Sequence, residues 1–159
     1  MIIKGIISED FVNYKKPSLV IEFPYCDFKC EKECGELVCQ NNTLVRLPDI
    51  EISIEKIIDE YYLNNPITKA IVFQGLEPLD SFIDVLEAIK YIRKKTTDDI
   101  VIYTGYTKEE LIQKKYLNLL KNYDNIVIKY GRFIPNRKSI FDIVLGVELS
   151  SENQYAERL

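Results

Sequence analysis

Apolar runs rich in β-branched residues recur along the chain at 19–23 (LVIEF), 69–75 (KAIVFQG), 100–105 (IVIYTG), 125–131 (NIVIKYG) and 141–146 (FDIVLG). Their near-continuous apolarity predicts strands covered on both faces, as in a parallel sheet. Between them the spacing turns helical. Ser53 is placed to cap a helix carrying Ile54, Ile57, Ile58 and Tyr61 on one face. Residues 80–95, capped by Asp80 or Ser81, align Phe82, Val85, Leu86, Ile89 and Ile92. Thr107 and Glu110 form a capping-box pattern ahead of Leu111, Tyr116, Leu119 and Leu120.

Strand–helix alternation of this kind predicts βαβ units. There are too few units for a closed eight-stranded barrel. The expected fold is therefore a single α/β domain over 1–159: an open, partial (β/α) barrel or wound sheet with mostly parallel strands. In such sheets ligands bind beyond the carboxyl ends of the strands. The loop after Phe23, the "QGLEP" segment and the "TGY" segment all follow strands, so they are expected along one edge.

Composition narrows the chemistry. The chain has 159 residues, ordinary proportions of hydrophobic and charged residues, and a net charge of −4, which does not favour nucleic acid. No apolar run approaches a membrane span, and Glu9 and Asp10 come too early for a signal peptide, so a cytoplasmic protein is expected. Histidine is absent. That removes histidine general bases, Ser–His and Cys–His pairs, and mixed His/Cys zinc sites.

All four cysteines fall within "YCDFKCEKECGELVCQNN", at Cys26, Cys30, Cys34 and Cys39. A cytoplasmic chain with a sufficient core does not call for structural disulfides, and no pair has the redox C-x2-C spacing. Four-thiolate zinc sites usually pair two short knuckles across a longer span, whereas the spacings here are x3, x3 and x4. Clustered thiols beside Gly and polar residues suit an iron–sulfur cluster. Spacing alone leaves open whether Cys34 or Cys39 is the third ligand.

The surrounding motifs carry a resemblance. Cys26-Asp27-Phe28-Lys29-Cys30, the "CQN" ending at Cys39, "FQGLEP", "VIYTGY", "YGRFI" and "LSSENQ" occur in that order over nearly the whole chain. In this the chain resembles the radical S-adenosylmethionine superfamily, and within it the activating proteins of anaerobic ribonucleotide reductase. Those proteins carry C-x3-C-x2-C followed by His-Asn; here the pattern is C-x3-C-x8-C, with Leu76 in place of a motif glycine and Tyr130 in place of an aspartate. The resemblance implies that Cys26, Cys30 and Cys39 hold a [4Fe-4S] cluster, Cys39 being favoured by its Gln-Asn ending and by Val38, which would pack near adenine. It implies that Gly75, Leu76, Glu77 and Pro78 lie against the methionine end of S-adenosylmethionine, with Thr104 and Gly105 near its ribose. Phe28 would shield the cluster, and Asn13, Asn153 and Gln154 follow by family position. The implied activity is reductive cleavage of S-adenosylmethionine to a 5′-deoxyadenosyl radical. The implied substrate is a glycyl-radical enzyme such as anaerobic ribonucleoside-triphosphate reductase, with electrons from a flavodoxin-type donor. A radical enzyme for another glycyl-radical protein or peptide, or a non-catalytic four-cysteine zinc module, is the alternative.

Overall fold

A computed structural model describes residues 1–159. Its centre is a six-stranded sheet in the order β10-β7-β6-β5-β3-β2, built from β2 (Gly5–Asp10), β3 (Ser18–Phe23), β5 (Ala70–Gly75), β6 (Asp99–Tyr103), β7 (Ile126–Tyr130) and β10 (Tyr155–Arg158). The pairs β3–β5, β5–β6 and β6–β7 are parallel, while β2 and β10 close the edges antiparallel. Two short ribbons stand apart: β1 (Ile2–Ile3) with β4 (Ile50–Glu51), and β8 (Ile140–Asp142) with β9 (Val147–Leu149). The result is an α/β domain with an open mixed sheet, mostly parallel, and no closed barrel.

Continuous apolarity has a direct structural cause, because the sheet is buried on both faces. Leu19, Ile21, Phe23, Ile71, Phe73, Ile100, Ile102, Ile126 and Ile128 point into the larger core, against the helices. The alternate residues Val20, Ala70, Val72, Val101 and Val127 face a thinner layer of Tyr14, Leu145 and Leu149. Larger side chains meet the helices and smaller ones meet the loops, as the period-two geometry of a strand requires.

The helices are α1 (Lys29–Cys34), α2 (Asn42–Val45), α3 (Ile54–Lys56, running on through a π-helical stretch Ile57–Tyr62), α4 (Phe82–Arg93), α5 (Lys108–Gln113) and α6 (Tyr116–Leu120). Ser53 caps α3, accepting the Lys56 amide at 3.2 Å. The π-helical stretch then shifts the buried face, so that Tyr62 and not Tyr61 joins Ile54, Ile57 and Ile58 in the core. Thr107 and Glu110 form the expected capping box on α5. That helix ends earlier than its pattern suggests, because Lys115 turns left-handed (φ 62°) and starts α6 on a new axis. Residues 80–95 begin with a 3-10 turn, Pro78–Ser81, in which the Glu77 side chain serves as cap.

One predicted strand is corrected. Residues 141–146 do not form a sheet strand; only Ile140–Asp142 is extended, and the chain then turns. The Asp142 carboxylate accepts the amides of Val144 (2.9 Å) and Leu145 (2.8 Å), satisfying locally what a ladder would otherwise satisfy. No helix is long and apolar enough to cross a membrane.

Candidate metal centre

Parallel register decides what meets at the carboxyl edge. Phe23 pairs with Gly75 and Tyr103 with Lys129, so the cysteine loop, the "GLEP" turn, the "TGY" turn and the "KYGRF" segment emerge side by side. Gly75 is obligatory at this junction. Its φ is +104°, and a Cβ there would lie 2.6 Å from the Phe23 amide nitrogen. The turn is laced to the stem of the cysteine loop: Leu76 N–H donates to Phe23 O (3.2 Å) and Glu77 N–H to Tyr25 O (2.7 Å). The Asp80 carboxylate accepts the Asp27 amide at 3.0 Å and the Tyr106 hydroxyl at 2.5 Å.

Cys26, Cys30 and Cys39 line one cleft together, with Val38, Leu76, Glu77, Gly105, Lys129 and Arg132 among its walls. It adjoins a second cleft that shares Gln40, Asn41, Leu76, Gly105, Lys129 and Gln154 and adds Gly75, Tyr103 and Thr104. Their volumes are about 140 and 360 Å³, so the second is the roomier and is in the range of small-molecule sites. Cys34 is exposed and faces a separate groove, sharing with the first cleft only Cys30 of the other thiols. Two expected residues stand back from the cleft. Pro78 is buried in its turn, and Phe28 contributes backbone where a ring was expected to shield: it is left-handed (φ 54°) and its N–H donates to Cys26 Sγ at 3.2 Å.

The third thiol is brought back over the extra loop residues by two hydrogen bonds. Glu31 accepts the Cys39 amide at 3.1 Å, and Asn41 Nδ2 donates to Gly75 O at 2.6 Å. On the other flank, Arg132 donates to both oxygens of Glu110 (2.7 and 2.9 Å), and Lys29 pairs with the same carboxylate. Burial alone would raise Glu110, but hydrogen bonds from Arg132, Lys29 and the Thr107 amide hold it down at about 2. Its charge therefore fastens α1 of the cysteine loop to the end of β7.

Burial pushes the Cys26 thiol up to about 12, against the pull of the Phe28 amide, and also raises Cys30 and Cys39. The amides of Phe28, Glu31 and Asn41 act the other way, favouring thiolate. Half-buried thiols, one of them already accepting an amide hydrogen bond from Phe28, are a donor set that a metal can complete. The trio is not gathered at one point. The group of three metal-type donors within 4.8 Å of one another is Cys26, Asp27 and Asp80. A single zinc would need its thiolates roughly 3.8 Å apart, from Zn–S bonds of about 2.3 Å in tetrahedral geometry. The walls also carry Lys29, Lys129 and Arg132, of which Lys29 and Arg132 already pair with Glu110.

Glu77 and Lys129 are the buried charges of the cleft. Burial raises Glu77 to about 7, although Thr104 Oγ1 (2.7 Å), Gly105 N–H (2.7 Å) and Leu79 N–H (3.1 Å) donate to its carboxylate. Burial lowers Lys129 to about 8, opposed by the charge of Glu77. The motifs pointed to Glu77, Thr104 and Gly105; Asn41 entered only as part of the Gln-Asn ending, Glu110 only as a capping residue and Tyr106 only as the end of its motif, and Lys129 escaped sequence reasoning. For Lys129 a signal existed: a lysine one residue short of the end of a wholly apolar strand.

The sequence profile of the 4Fe-4S single cluster domain family matches residues 19–154, from the first parallel strand to the polar turn before β10. No curated protein and no solved structure matches the chain.

Proposed function

The chain belongs to the 4Fe-4S single cluster domain family, and from that premise we propose that Cys26, Cys30 and Cys39 hold its cluster in a radical S-adenosylmethionine enzyme. The observation that carries this reading is the count of thiols in the cleft: three line it, and Cys34 lies outside. Three thiolates leave one iron of a four-iron cluster without a protein ligand. With S-adenosylmethionine on that iron, the cluster would supply the electron that breaks the sulfonium and yields methionine and a 5′-deoxyadenosyl radical.

The protein's own contribution is placement. Phe28 directs its amide at Cys26 Sγ, and the backbone of Glu31 and Asn41 favours thiolate at Cys30 and Cys39. Gly75 lets the turn pass close to Phe23, which sets Leu76 and Glu77 against the cleft. Gly105 and Thr104 orient the Glu77 carboxylate, leaving acceptor capacity for a ligand ammonium. Val38 and Leu76 provide apolar wall. No histidine base is needed for any of this.

An open sheet of this size leaves one side of the cleft uncovered, which suits a macromolecular substrate. The partner we propose is a glycyl-radical enzyme such as anaerobic ribonucleoside-triphosphate reductase, with a flavodoxin-type electron donor. The extended cysteine loop and Leu76 are the features that would adapt the site to a different glycyl-radical protein or peptide.

The test is anaerobic reconstitution with iron and sulfide, reduction, and assay for 5′-deoxyadenosine. Brown protein that forms it from S-adenosylmethionine supports the proposal. Brown protein that forms none, under conditions where the cluster is shown to be reduced, leaves a 4Fe-4S protein of another kind.

A further inference from the structure

Four buried side-chain oxygens in the chain have no hydrogen-bond partner, and two of them, Tyr130 Oη and Asn153 Oδ1, belong to residues lining the groove that Cys34 faces. Polar atoms shut away from water are otherwise paired, so two orphans at one place call for an occupant. Tyr130 is wholly buried at the end of β7, and burial keeps its hydroxyl protonated. The Asn153 amide is held by Nδ2, which donates to Arg132 O at 2.8 Å, so Oδ1 is the end left free.

The groove has a volume of about 510 Å³ and adjoins the thiol cleft at Cys30 and Arg132. Its lining is aromatic: Tyr130 lies opposite Tyr155 in the β7–β10 pair, their ring centroids 5.2 Å apart, and Phe133 joins them. Tyr155 is 39% exposed, so the aromatic face can be reached from outside. Two carboxylates, Glu33 and Glu109, stand in the same lining. Its one cation, Arg132, is already engaged, donating twice to Glu110 and lying 3.5 Å from Glu33. Glu109 forms no ion pair. What is left unmatched is a negative charge, an aromatic face and two buried oxygens able to accept hydrogen bonds.

A guanidinium meets all three. It is a planar cation that stacks on aromatic rings, and its five N–H donors reach several acceptors at once, which a compact ammonium does not do. We propose that this groove is a docking site for an arginine side chain of a partner protein, the guanidinium lying against Tyr155, donating to Tyr130 Oη and Asn153 Oδ1, and facing the charge of Glu109. Ile134 and Pro135 in the lining give the aliphatic stem an apolar surface. Because Cys30 belongs to both groove and cleft, a partner seated here stands beside the cysteine loop. The site rests on the groove alone and is independent of the radical-enzyme reading.

The experiment uses the whole cluster-loaded chain under anaerobic conditions, as wild type, Tyr130→Phe and Glu109→Gln matched for iron content. Three pentapeptides are titrated, alike except at a central position flanked by glycines. That position holds arginine, lysine or citrulline, the last keeping the shape of arginine without its charge. Ligand-observed saturation-transfer NMR gives the dissociation constants. Wild type should bind the arginine peptide more tightly than the lysine peptide and at least about 10-fold more tightly than the citrulline peptide, the scale of charge-assisted hydrogen bonds. Tyr130→Phe deletes an oxygen that the fold does not use, so it should unfold in urea no earlier than wild type, yet bind the arginine peptide about 3- to 10-fold more weakly. Glu109→Gln, at the surface, should weaken it by about two- to fivefold. An arginine peptide that does not bind, or binds no better than its lysine or citrulline counterpart, overturns the proposal. Full affinity in Tyr130→Phe overturns it too, and would mean that the two oxygens serve buried water. Should Tyr130→Phe prove unstable, Glu109→Gln decides, and undiminished affinity there places the peptide elsewhere and overturns the assignment.

Discussion

At the scale of single residues, the cysteine loop separates ligand from bystander by position. Cys39 is drawn into the cleft by Glu31 and Asn41, whereas the Cys34 thiol contacts only the carbonyls of Glu31 and Glu36 at 3.7 and 3.4 Å. Cys34→Ala is therefore expected to keep the iron and sulfide content of the reconstituted wild type, and Cys39→Ala to lose most of it. Metal analysis and the visible absorption of the two variants decide the matter, and the reverse pattern would exchange the roles of the two thiols. Gly75 gives a second expectation at this scale. A methyl group there meets the Phe23 backbone and cannot relax by a rotamer change, so Gly75→Ala should cost about 2–4 kcal/mol, read from urea unfolding. The cysteines, Glu77 and Gly75 were legible in the sequence because each stands in a motif whose residue types are chemically constrained. Lys129 was not, because a lysine beside a strand end reads as a snorkelling surface residue until the register buries it.

At the scale of elements, legibility followed burial. The parallel strands declared themselves because both faces of each are covered, leaving no polar alternation to confuse the reading. The edge strands did not: Gly5–Asp10 carries exposed Ile7, Ser8 and Glu9, and Tyr155–Arg158 is half polar. The run at 141–146 looked like a strand by composition alone, and the Asp142 turn shows why composition misleads when a carboxylate can collect neighbouring amides. Helix α5 is short, yet it matters beyond its length because it bears Glu110, which binds Lys29 of the cysteine loop and Arg132 after β7. Thr107→Ala removes its cap and should cost about 1 kcal/mol. The loss reaches the cleft, so the variant is expected to release iron to a chelator faster than the wild type. Release at the wild-type rate, with the stability loss present, would show that the Glu110 clasp does not restrain the loop.

At the scale of the whole molecule, the two ends of the sheet do different work. The carboxyl edge gathers the thiols and buried charges, and the opposite edge is closed by Asp99, the first residue of β6. Its carboxylate accepts from Lys16 (2.6 Å) before β3, Tyr14 (2.9 Å) and Arg158 (2.6 Å) of β10, so one side chain ties the two ends of the chain to the central strands. Burial pushes the Asp99 carboxyl up, but these hydrogen bonds overrule it and hold it at about 2, below its ordinary 3.8. The sign of the pH dependence follows. Because the folded value is the lower one, the unfolded chain takes up the proton first as pH falls. The stabilisation from Asp99 is thus complete above about pH 4 and is lost as the pH falls through about 2. Its size is on the order of 1–2 kcal/mol. Asp99→Asn should lower stability by at least that amount at pH 7, since it also leaves Lys16 and Arg158 without their partner. The gap between wild type and variant should then narrow as both are titrated from pH 4 towards pH 2. Urea unfolding of the two cluster-free proteins across that interval measures it, and a gap that stays constant with pH would show that the network acts through shape and not through charge.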